Sequence, residues 1–122
     1  MADEITLTIP TEPEYRGVAS IVVGGLAARL DLTIDSLEDL QLALDTLLSR
    51  PDRSSEDVTI QLRVDGDSLV TRVGPLDSHV LEELERDAGE DLGVRRLLDS
   101  TIDGVVVDGE FAVLTKAVSI AR

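Results

Sequence analysis

Chemistry in this chain of 122 residues would have to come from few groups. His79 is the only histidine, and the ligand types near it are Asp77, Glu82 and Glu83. A lone histidine at a helix start reads as a solvated residue, because a metal needs further ligands at converging spacings. Asp65-Gly66-Asp67 looks like the start of a calcium loop, but it lacks the closing Glu and sits between two strand patterns, so it reads as a turn. Glu82, Glu83 and Glu85 form a solvated face rather than acids paired for proton transfer. Ser54 and Ser55 stand in a polar loop and can accept a modification, though a plain loop is the simpler reading. The chain has no cysteine, which removes disulfides, thiolate metal sites and Cys-His catalysis. No Ser-His-Asp arrangement is present.

The elements that must position any site are more informative. The stretch Thr33 to Arg50 repeats Ile34, Leu37, Leu40, Leu44 and Leu47 at a spacing of three or four, which predicts one apolar helix face. Thr33 can cap its start, Asp35 suits the positive end of the helix dipole, and Pro51 ends it. An earlier helical pattern runs from about Glu14 to Leu30, with Tyr15, Val18, Val22, Leu26 and Leu30 on one stripe and Ile21, Val23, Ala27 and Ala28 widening it. Gly24 and Gly25 weaken that helix by roughly 1 kcal/mol each relative to Ala. Such a broad face is core first and a self-association surface, hence a homodimer, second.

Strand patterns surround the helices. Ile5 to Ile9 alternates apolar residues with Thr, and Val58 to Val64 alternates again before an Asp65-Gly66 turn and a return strand, Leu69 to Val73. Gly74-Pro75 breaks that strand. Ser78 to Arg86 predicts a short helix capped by Asp77 or Ser78, and Leu92 to Ser100 a second one. Ile102 to Val107 and Glu110 to Ala117 form a last strand pair across Asp108-Gly109. The order β-α-α-β-β-α-α-β-β places the chain in the α+β class: a two-layer sandwich, mostly antiparallel, with helices on one face. No linker or repeat divides it, so residues 1–122 read as one domain.

Bulk properties narrow the partners. The net charge is −14 and the aromatic content 2%. A core without aromatics must be aliphatic. A strongly acidic chain is repelled by nucleic acid and by anionic membranes. No apolar run reaches membrane length and the start lacks the basic residues of a signal peptide, which predicts a soluble, cytoplasmic protein. A basic protein partner would suit the charge, although solubility alone also accounts for it.

With these elements in place, four stretches carry a family resemblance: LTIPTEPEY (Leu7 to Tyr15), RLDLTIDSLEDLQLAL (Arg29 to Leu44), VGP (Val73 to Pro75) and LGV (Leu92 to Val94). The chain resembles the histidine-kinase-type ATPase fold and, within it, bacterial anti-sigma factors that are small serine/threonine kinases. The resemblance implies ATP and magnesium as cofactors, an anti-sigma antagonist as substrate, and a sigma factor as the sequestered partner. It also implies a Glu and, four residues on, an Asn on the helix from Thr33, the Asn oxygen holding the metal. Those positions are Thr46 and Arg50 here. A slip of one residue offers Asp45 and Ser49, which supplies a base but no metal ligand. An Arg at the metal position repels magnesium.

The family's Asp-x-Gly-x-Gly, whose Asp accepts from the adenine amino group, corresponds to Arg72, Gly74 and Leu76; an Arg has no acceptor to offer. Its phosphate-cradling Gly-x-Gly corresponds to Asp91 and Gly93, where Asp91 brings the wrong charge to a triphosphate. The resemblance therefore implies a degenerate member that keeps the fold and has lost ATP, magnesium and catalysis. The alternatives are an active kinase with an unusual residue set, and a small anion held in the vestigial pocket near Arg50, Arg72 and Gly74. Arg16 and Arg29, cations at the ends of the first helix, are candidate partner contacts.

Overall fold

A computed structural model of the protein describes residues 4–29, 33–49, 56–65, 68–85 and 102–117. Five strands, β1 (Glu4–Pro10), β2 (Asp57–Asp65), β3 (Ser68–Gly74), β4 (Gly104–Asp108) and β5 (Phe111–Ala117), form one sheet in the order β1-β2-β3-β5-β4. All four neighbouring pairs are antiparallel. Three helices, α1 (Arg16–Arg29), α2 (Ile34–Leu48) and α3 (Ser78–Glu85), pack on one side of it. This is the two-layer α+β sandwich expected from the sequence. The predicted helix Leu92 to Ser100 lies outside the described residues, as do Arg50, Ser54, Ser55, Asp91 and Gly93.

Strand alternation decides what faces the helices. The register sets Ile5, Leu7 and Ile9 across from Leu62, Ile60 and Val58, and continues through Thr71 to Leu114 and Val73 to Ala112. Those residues form the inner face, and period two sends their neighbours Thr8, Gln61, Arg72 and Val113 to the other face, away from the described helices. One aliphatic core results. Leu40, Ala43, Leu44, Leu47 and Leu48 of α2 enter it, with Ala19 and Val23 of α1, Val80 and Leu84 of α3, and the inner strand residues. Each fully buried Leu contributes roughly 1.5–3 kcal/mol.

The helices begin where their capping chemistry allows. At α2, Thr33 Oγ1 accepts from the Ser36 N–H at 3.2 Å, satisfying an otherwise unpaired helix-start donor. At α3 the Asp77 carboxylate accepts from the His79 N–H at 2.8 Å. The first helical stretch is divided: Pro13–Tyr15 is a single tight 3-10 turn and α1 starts only at Arg16.

Two expectations are corrected at the helices. The inward residues of α1 include Ala19 and Val23, whereas Val18 is 39% and Ile21 76% exposed, with Tyr15 also exposed. The broad apolar pattern therefore serves both a core contact and an outer surface. On α2, Ile34 belongs to the first turn and is 71% exposed, while Ala43 and Leu48 complete the buried face. The last turn ends at Leu48, capped by Ser49, two residues before the predicted end.

Candidate functional site

Of the two positions that the resemblance ties to catalysis, Thr46 lies in the last turn of α2 and Arg50 lies outside the described residues. Thr46 is half-buried, and its hydroxyl donates to the Leu42 carbonyl oxygen at 2.8 Å. That local bond engages the one polar atom the side chain has for a ligand to accept from. In the alternative register, Asp45 is exposed with Arg16 Nη1 4.0 Å away, and the Ser49 hydroxyl donates to the Thr46 carbonyl oxygen at 2.7 Å. Arg16 therefore stands at the α1–α2 boundary, its charge directed at Asp45. Arg29 occupies the last turn of α1, where a cation suits the negative end of the helix dipole.

The stretch from Arg72 to Leu76 is clasped by the hairpin of β4 and β5. Arg72 projects to the open face of the sheet, where its Nη1 donates to Asp108 Oδ2 at 2.7 Å and its guanidinium carbon sits 5.0 Å from the centre of the Phe111 ring. Cation, carboxylate and ring thus satisfy one another. Gly74 lies beneath that ring: a Cβ there would stand 2.7 Å from Phe111 Cγ and 2.8 Å from the Glu110 carbonyl oxygen. The Leu76 N–H donates to that same Glu110 oxygen at 2.9 Å, and the Leu76 side chain is buried in the core. The Gly74–Pro75 peptide is cis. Each of the three motif positions in this stretch has a packing or bonding role within the fold.

The hairpin makes this possible through its turn. Asp108 pairs with Phe111 across Gly109-Glu110, and Gly109 holds a φ of 63° that other residues rarely adopt. The tight loop is one residue later than the Asp108-Gly109 expected. Asp108 and Phe111 were not legible as partners of Arg72, because nothing in the local sequence states that β3 pairs with β5. The alternation Leu69, Thr71, Val73 was the available signal that Arg72 points away from the helices. Of the residues named for an anion pocket, Arg72 points away from the described helices and Arg50 lies outside the described residues.

Other polar groups are placed as follows. On the open face, Glu4, Gln61, Arg63, Val70, Arg72 and Val113 line a shallow groove of about 180 Å³. Between the layers, Lys116 Nζ lies 3.3 Å from Asp39 Oδ2 and ties β5 to α2. Thr71 is 0% exposed and its hydroxyl has no hydrogen-bond partner among the described residues. Among the described residues no group of three or more His, Asp or Glu side chains converges as a metal site. No described helix is long and apolar enough to cross a membrane.

Sheet order and helix placement define a two-layer α+β sandwich, consistent with the histidine-kinase-type ATPase fold that the sequence resembles. Sequence comparison makes the resemblance specific: the chain is similar to proteins named serine-protein kinase RsbW. It is 30% identical to the one from Bacillus velezensis over 94 residues, covering 71% of this chain and 59% of that relative. It is 26% identical to the one from Listeria monocytogenes over 141 aligned positions, covering 98% of this chain and 90% of the relative. A shorter segment of 43 residues is 40% identical to the Bacillus subtilis protein. No family model matches the chain.

Proposed function

We propose that this chain is a non-catalytic protein-binding regulator, resembling an anti-sigma factor that has lost ATP binding and acting by partner sequestration in bacterial transcription control. Similarity to the RsbW serine-protein kinases supports the ancestry. The clasp on residues 72–76 is the observation that supports the loss of nucleotide binding. Where the family reads adenine with a carboxylate, this chain has Arg72, a donor-only side chain already bonded to Asp108 on the face away from the described helices. Thr46 stands where the family's base belongs and has no carboxylate to offer. The side chains at Thr46 and Arg72 therefore offer no carboxylate to a magnesium-bound triphosphate or to its adenine.

In this reading the partner is a protein, a sigma factor or an anti-sigma antagonist being the candidates that the resemblance supplies. Nucleic acid and anionic membrane are disfavoured by the charge of −14, and the cytoplasm is the compartment. Isothermal titration with Mg-ATP tests the reading: no heat at millimolar nucleotide is expected, and micromolar binding overturns it. The second reading, an active serine/threonine kinase acting on an anti-sigma antagonist, is favoured by the activity in the relatives' names. The same titration, followed by an assay of phosphate transfer to an antagonist protein, separates the two.

A further inference from the structure

We infer that the outer surface of α1 and α2 is a docking face for a basic amphipathic helix of a partner protein. Two contacts fix how the helices lie against each other: Gln41 Nε2 donates to the Ser20 carbonyl oxygen at 3.2 Å, and Arg16 faces Asp45 at 4.0 Å. Both pairs sum to the same residue total, so the helices run antiparallel in a single register. Helical periodicity then brings Ile21 of α1 and Leu42 of α2 to the outer surface, with Val18 and Ile34 exposed at its edges. These are four of the six large hydrophobic side chains exposed among the described residues, Ile21 at 76% and Leu42 at 47%. Glycines flank them on α1: a Cβ at Gly17 or Gly25 would meet nothing within 4 Å, which allows another helix to approach closely.

Charge selects the occupant. On α2, Asp35 and Glu38 flank the apolar residues and have no cation within reach among the described residues, while Asp45 is offset by Arg16. A second copy of this chain laid on the same surface would bring two acidic rims together, each on a molecule of charge −14, and like charges at close range cost affinity. A helix with one apolar stripe and lysines or arginines beside it meets apolar with apolar and acid with base. This inference rests on the protein-binding reading above, but its test is independent of nucleotide.

The experiment uses the whole chain and two synthetic peptides of equal length and charge, followed by fluorescence anisotropy at about 0.15 M salt, where long-range attraction is screened. One peptide is a lysine–leucine amphipathic helix; in the other the leucines are serines. The first is expected to bind at least about tenfold more tightly, and Leu42→Gln or Ile21→Gln to weaken it about tenfold. Glu38→Gln should flatten its salt dependence, whereas Glu82→Gln on α3 should leave binding unchanged. All substituted residues except Ile21 and Leu42 are polar, and those two are exposed, so circular dichroism should show the fold intact. Equal binding of the two peptides, indifference to Leu42→Gln, or a homodimer in sedimentation that Ile21→Gln dissolves would overturn the inference. Heat from Mg-ATP would overturn only the loss of nucleotide binding.

Discussion

Gly74 decides whether the retained glycine of the motif serves a ligand or the fold. A Cβ at this position would lie 2.7 Å from Phe111 Cγ, 2.9 Å from Phe111 Cδ2 and 2.8 Å from the Glu110 carbonyl oxygen. Carbon atoms settle at about 3.5–4.0 Å, so the ring and the turn must retreat by roughly 0.8 Å. The ring can rotate, but the oxygen is backbone and also accepts from Leu76 at 2.9 Å. Overpacking of this kind costs about 1–3 kcal/mol and a lost hydrogen bond about 1 more. Gly74→Ala should therefore lose about 2–4 kcal/mol, or roughly 8–16 °C in Tm for a domain of this size. Urea denaturation followed by circular dichroism gives the number. Adding Phe111→Ala should recover part of it, with a coupling of at least about 1 kcal/mol in the double-mutant cycle. A Gly74→Ala variant within about 0.5 kcal/mol of the parent refutes the packing role and returns the glycine to a ligand-binding explanation.

Thr71→Val should raise stability by about 1–2 kcal/mol in the same assay, since it removes a buried hydroxyl without a partner and keeps the shape; a loss would reveal a bonding partner. Arg72→Asp restores an acceptor in name only: titration with Mg-ATP should still give no heat, and stability should fall by up to about 1 kcal/mol because Asp108 then faces a like charge. Thr33→Ala should cost about 1 kcal/mol through loss of the α2 cap, read from the denaturation midpoint. The Glu12 carboxyl is raised by a side-chain hydrogen bond with Glu14 and then by its charge. The folded chain thus holds that proton more tightly than the unfolded chain, so the pair favours folding as pH falls through the raised value and the gain vanishes above it. In Glu14→Gln an NMR titration should find Glu12 moved back toward 4.5, and no movement would show that the two carboxyls do not interact.

Much of the scaffold was legible because it is local. Alternation in Ile5 to Ile9 and Val58 to Val64 marks strands, Thr33 marks a cap, and the spacing of Leu40, Leu44 and Leu47 marks the buried side of α2. What escaped depends on contacts distant in sequence. Ile34 has the right spacing for the buried face but sits in the first turn, beyond the reach of the core, at 71% exposure. Val18 and Val22 share a stripe that periodicity alone would bury, yet the sheet lies under Ala19 and Val23. Lys116 reads as an ordinary strand cation. Only the pairing of β3 with β5, which sets it opposite Leu69, shows that it lies on the inner face beside Asp39. For the candidate site, residue types were readable and directions were not: Arg72 was visible as a donor without an acceptor, but not its partners on the hairpin.

Direction is the stronger part of the case against nucleotide binding. A point substitution changes what a side chain offers, whereas strand register fixes which layer it serves, and a shift of one residue would exchange the faces throughout. In β3 the residues directed between sheet and helices are Leu69, Thr71 and Val73, paired to Leu62 and Ile60 on one side and to Leu114 and Ala112 on the other. An acceptor for a ligand held between the layers would have to replace Thr71 or Val73, both fully buried. An ionised carboxylate there would be desolvated without a partner, and removing that penalty requires opening the core. Moving β3 by one residue instead would expose Leu69 and Val73, break the Arg72–Asp108 pair and lift Gly74 from under Phe111. Register, core and hairpin clasp thus stabilise one another, and in the proposed reading a nucleotide site would require changing all three at once.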